Sequence, residues 1–94
     1  MVMDKMQKLE MMDKILRELE DVKNSQTAVL KKVAQIEAEN INLGVGLLDK
    51  SLPDVHGSVD DGIEAITELM EQFQAHRDKF VKDNRLDAVE ETAS

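Results

Sequence analysis

Apolar residues recur with a period of seven over most of the first half of the chain. Taking residues 12, 19, 26, 33, 40 and 47 as heptad position a gives Met12, Leu19, Gln26, Val33, Asn40 and Leu47. Position d is then Ile15, Val22, Val29, Ile36 and Leu43. Nine of these eleven positions are apolar, and no Gly or Pro occurs before Gly44. A phase held over about five heptads predicts a long coiled-coil helix. Position e adds Leu9, Leu16 and Leu30 to the stripe. A face of a, d and e positions is wider than a two-stranded seam and calls for more than one neighbouring helix. The β-branched residues at d, Ile15, Val22, Val29 and Ile36, favour trimers or tetramers over dimers in parallel assemblies.

The pattern breaks after Leu47. Gly44 and Gly46 weaken the helix, each by about 1 kcal/mol relative to Ala. Pro53 removes a backbone donor and biases Leu52 away from helix, and Gly57 follows. These residues predict a long helix over 1–48 and a break or turn over 49–57. A second amphipathic helix is then expected over 58–84, with a disordered tail over 85–94. Ser58 to Asp61 has the form of a capping box. The apolar stripe of the second helix is Val59, Ile63, Ile66, Met70, Phe73 and Phe80, flanked by Leu69, with Arg77 at the step between the two phenylalanines. The fold class expected is all-α, a helical hairpin or kinked rod within an oligomeric helical bundle. A helix of 58–84 would cover only the Gly-proximal part of the first helix, leaving its N-terminal half as an exposed apolar stripe, and such a patch marks an interface.

Composition sharpens this picture. The 94 residues contain no Cys, Trp or Tyr and only two Phe. That rules out disulfides and thiolate metal sites, and it deprives a single small core of large aromatic side chains. A chain of this length is marginal as a monomer, so oligomerisation is the expected route to stability. The longest run with almost no polarity, Ile41 to Leu48, is far short of the roughly 20 residues that span a bilayer, and the first twelve residues have no signal-peptide pattern. The expected setting is therefore intracellular, with no membrane partner.

Charge is uneven. Residues 1–50 carry eight basic and nine acidic side chains, a net of −1, whereas residues 51–94 carry four and eleven, a net of −7. An acidic surface repels phosphates, which argues against a nucleic-acid partner. Asp60, Asp61, Glu64, Glu68, Glu71 and Asp78 read as a solvated helix face.

Candidate chemistry is sparse. Gln26 and Asn40 are amides at core positions, where a buried amide sets register and strand number at a cost in stability. His56, with Asp54, Asp60 and Asp61, matches no metal-ligand spacing. The stretch from Gly57 to Glu68 lacks carboxylates at the first and third places of a calcium loop. No hydroxyl sits in a nucleophile elbow or phosphate-binding motif. No catalytic residue, cofactor or metal is expected. Met3, Met6 and Met11 form an adaptable apolar end suited to docking a protein partner. The function expected is a non-enzymatic homo-oligomeric scaffold or adaptor that presents helical faces to another protein. The alternative is a small acidic module that captures a client as an inhibitor or chaperone, including by mimicking DNA.

Overall fold

The computed structural model describes residues 3–86. They form two helices, α1 (Lys5–Leu43) and α2 (Gly46–Asp83), joined at Gly44 and Val45. Contacts divide the chain into two units. One takes in the described residues up to Glu20 together with those from Glu68 onward, and the other is Asp21–Thr67. The all-helical expectation holds.

The position of the turn differs from the expectation. Residues 49–57 are helical, and Pro53 lies inside α2. Ser58 is likewise interior, so it caps nothing. Proline inside a helix costs about 3 kcal/mol through a lost hydrogen bond and a steric clash. Here Pro53 is exposed, while Leu48, Leu52, His56 and Val59 are each partly covered. Their spacing is helical and one-sided, so the packing of that face offsets the cost of the proline. By local propensity Pro53 is a helix breaker. Packing of α1 against α2 overrode it.

Gly44 supplies the reversal. Its φ is +74°, a left-handed conformation that a residue with a Cβ resists. The Gly44 amide donates to the Asn40 carbonyl at 2.7 Å, which is the single closing bond of a left-handed helix C-cap. At the other end of α1, Asp4 and Gln7 cap each other. The Gln7 amide donates to Asp4 Oδ1 at 2.8 Å, and the Asp4 amide donates to Gln7 Oε1 at 3.0 Å. This reciprocal arrangement is a capping box. Its signal, an Asp three residues before a Gln, stands in the sequence.

Within Asp21–Thr67 the two helices run antiparallel on either side of the turn. The covered residues of α1 there are Lys23, Gln26, Thr27, Leu30, Val33, Glu37 and Asn40, which belong to positions a, b and e. In the other unit, Leu9, Met12, Asp13, Leu16 and Leu19 of α1 are covered, and Met70, Phe73, Arg77 and Phe80 are covered on α2. Because α2 has 38 residues against 39 in α1, the N-terminal half of α1 finds helical cover. The expectation that it would be left bare came from starting α2 about twelve residues too late. The expected tail begins with Arg85 and Leu86, and the rest of it lies outside the described residues. Leu86 is buried, and Arg85 takes a φ of 55° as the helix ends.

Candidate interaction surface

The turn is held by one side chain. Asn40 is 2% exposed. Its Oδ1 accepts from the Val45 amide at 3.0 Å, and its Nδ2 donates to the Val45 carbonyl at 3.1 Å and to Asp49 Oδ1 at 2.8 Å. The amide thus ties the end of α1 to the first turn of α2, where Asp49 also meets the positive end of the helix dipole. Burial of an amide at position 40 was anticipated. Its partners lie within its own chain, so its first task is to set the turn.

Gln26 is the second amide at position a, and it is partly covered. A Cβ placed on Gly62 would lie 3.1 Å from Gln26 Nε2, so the absence of a side chain at 62 is what lets the amide lie against α2. Gln26 Oε1 is buried and has no hydrogen-bond partner among the described residues. Leaving a buried acceptor unpaired costs about 1–3 kcal/mol. One further polar link joins the helices of this unit: His56 Nδ1 lies 2.6 Å from Glu37 Oε1.

The d positions tell a different story from a and e. Val22, Val29 and Ile36 are 45, 49 and 39% exposed, and Leu43 is exposed beside them. On α2 of the same unit, Val55 is also exposed. Val22 and Val29 stand four residues before the covered Gln26 and Val33, and Val55 stands four residues before the covered Val59. Equal angular offsets on two antiparallel helices fall on the same side of the pair, because a local twofold axis perpendicular to the helices relates them. Val22, Val29, Ile36 and Val55 therefore share one flank of the hairpin. The opposite flank carries the exposed polar residues Asn24, Lys31, Asp60 and Glu64. One flank is apolar and the other polar.

In the unit that joins the chain ends, Ile15 and Leu69 are exposed. Here Arg77, the cation in the apolar stripe, reaches Asp13: Nε donates to Oδ1 at 2.8 Å. A second contact runs from Nη1 to Asp78 Oδ1 at 3.2 Å. These carboxylates, Asp13 foremost, raise the Arg77 pKa above its ordinary value. Asp13 of α1 thus pairs with Arg77 of α2. His76 stacks on Phe73 with ring centroids 6.2 Å apart.

Comparison of the chain with protein-family models, with curated proteins and with solved structures finds no match.

The remaining sequence-predicted residues divide by location. Val59, Ile63, Ile66, Met70, Phe73 and Phe80 are partly covered in their own units. Leu47, assigned to position a, is exposed on α2, and Met3, Met6 and Met11 are exposed near the start of α1. Sequence reasoning overlooked Ile41, which is 81% exposed at the turn end of α1. An open groove of ≈ 390 Å³ beside it is lined by Ala38, Asn40, Leu48, Leu52 and Pro53, among others. His56, Asp54, Asp60 and Asp61 lie along α2. Among the described residues no group of three or more His, Cys, Asp or Glu is placed to hold a metal ion, and no helix is long and apolar enough to cross a membrane.

Proposed function

We propose that the protein is a non-enzymatic, self-assembling helical scaffold that presents helical faces to a protein partner. The observation that carries this reading is the exposed row Val22, Val29 and Ile36 on α1. Three apolar, β-branched side chains at seven-residue spacing make a coiled-coil seam, yet α2 covers the neighbouring a and e positions and leaves this seam open. The described chain buries only Leu9, Val33, Leu86 and Asn40, and none of its side chains is fully buried. A two-helix unit with so little buried apolar surface gains by association, at roughly 25 cal/mol per Å² of apolar surface removed from water.

The presenting role follows from what assembly through this flank leaves free. Ile41 and Leu47 at the turn end, and Met3, Met6 and Met11 near the start of α1, are exposed apolar residues outside position d. Repeating them in each copy raises avidity for a partner without new chemistry. The acidic residues Asp60, Asp61, Glu64, Glu68 and Glu71 are exposed along α2 and favour partners with basic surfaces.

Sedimentation equilibrium tests the assembly. A mass that is a multiple of the chain's, persisting at micromolar concentration, is expected. A mass of 10.6 kDa, that of one chain, at a concentration where the protein is fully helical would overturn the reading.

A further inference from the structure

The β-branched stretch of the apolar flank reads the same in both directions. Along α1, position d runs Ile15, Val22, Val29, Ile36 and then Leu43 at the turn end. The first four read Ile-Val-Val-Ile, and their midpoint falls between Ser25 and Gln26. Along α2, two exposed apolar residues away from the turn, Val55 and Leu69, stand seven residues to either side of Gly62. The two midpoints lie at one level of the hairpin, because Gln26 rests against Gly62, with its Nε2 3.1 Å from where a Cβ would be. The β-branched row of α1 and the Val55–Leu69 pair of α2 are therefore centred on the same layer.

We propose that two copies of this chain pair flank to flank about a twofold axis through the Gln26–Gly62 layer, forming an antiparallel four-helix bundle. The proposal rests on the self-assembly reading above and gives it a stoichiometry and a register. It also reconciles the width of the stripe with a dimer. A seam that calls for four helices needs four chains if each contributes one helix, but only two if each contributes a hairpin.

The register makes specific pairs. Val22 meets Val29 of the partner, and Ile15 meets Ile36 of the partner, each pair occurring twice by symmetry. Position g flanks the d seam on the side away from α2, and an antiparallel dyad places g opposite g. Glu18 then faces Lys32 of the partner, an opposite-charge pair, and Ser25 faces its own symmetry mate. A parallel pairing of α1 with its copy sets g opposite a and loses the match of Glu18 with Lys32. Charge complementarity thus selects the antiparallel arrangement.

On α2 the residues beside the axis are small. Gly62 lies on it, with Ser58 and Ala65 at the flanking steps, so the two copies of α2 approach closely where the axis crosses. The Gln26 carbonyl, unpaired inside one hairpin, sits beside the same axis. Swinging the amide toward its symmetry mate lets each Oε1 accept from the partner's Nε2–H. A single polar layer of this kind fixes register and orientation.

Cysteine cross-linking tests the register, since the chain has no cysteine of its own. Val22→Cys and Val29→Cys variants are made singly, and their helicity and sedimentation mass are checked. Both positions are exposed in one hairpin, so the hairpin tolerates the change. On oxidation, the mixture of the two variants is expected to form a disulfide-linked heterodimer. Each variant alone is expected to cross-link at least tenfold less, because like positions lie about 10 Å apart along the axis. Val55→Cys mixed with Leu69→Cys should behave in the same way. A dimer mass with efficient Val22→Cys self-linkage, or a trimer mass, would refute the register while leaving self-assembly intact. A single-chain mass for the unmodified protein would refute both. As a second variant, Gly62→Val should weaken dimerisation at least tenfold while Gly57→Ala leaves it unchanged. Equal effects of the two would count against an axis at Gly62.

Discussion

Asn40 donates a hydrogen bond to Asp49 across the turn, Nδ2 to Oδ1 at 2.8 Å, while the same amide both donates to and accepts from the Val45 backbone. One buried side chain therefore closes α1, reverses the chain and starts α2. Replacing it with Ala leaves the Val45 amide and the Asp49 carboxylate without this partner. Asn40→Ala is expected to cost about 1–3 kcal/mol, read as a lower urea midpoint at unchanged slope. A loss below about 0.5 kcal/mol would show that the backbone alone sets the turn.

The glycines separate two demands on the backbone. Gly44 has a φ of +74°, so Gly44→Ala forces a side chain into a left-handed conformation and should destabilise by about 1 kcal/mol. Gly57 lies inside α2, and a Cβ there meets nothing within 4 Å. Gly57→Ala should stabilise by about 0.5–1 kcal/mol through helix propensity. Thermal melts followed by circular dichroism should move in opposite directions; shifts of the same sign would contradict the assignment of the turn to Gly44.

Apolar residues of α1 differ sharply in what they stabilise. Leu9 is 5% exposed, whereas Ile41 is 81% exposed. Leu9→Ala should cost about 2 kcal/mol, the lower end for a buried leucine, because the surrounding core is thin. Ile41→Ala should stay within about 0.5 kcal/mol. Denaturant titration of both variants at one protein concentration checks the contrast, and comparable losses would place Ile41 in a covered site.

Arg77 and Asp13 form a partly exposed pair, which limits its value to about 0.2–1 kcal/mol after screening. A double-mutant cycle with Arg77→Ala and Asp13→Ala should return a coupling in that range that shrinks in 1 M salt. Since the Arg77 pKa is raised in the folded chain, its share of the stability is fully present below the unfolded value. It is lost only as pH climbs through the still higher folded one. Unfolding experiments between pH 6 and 9 should show no pH dependence traceable to this arginine. A slope that vanishes in Arg77→Met would contradict the assignment.

The sequence by itself determined that the chain is helical, that its apolar residues follow a heptad, and that Gln26 and Asn40 occupy positions that become covered. Those properties are local, since period and propensity act over a few residues. Where α1 ends was decided by tertiary structure. Gly44, Pro53 and Gly57 are all competent breakers taken singly, and only the packing of Leu48, Leu52 and Val59 against α1, with the Asn40 clamp, selects Gly44. The division of the heptad was decided there too. Position d is the most uniformly apolar in the sequence, yet an antiparallel neighbour can cover only one arc of a helix, and α2 takes a and e. Val22, Val29 and Ile36 are left facing outward because the direction from which a partner helix arrives is a property of three-dimensional packing.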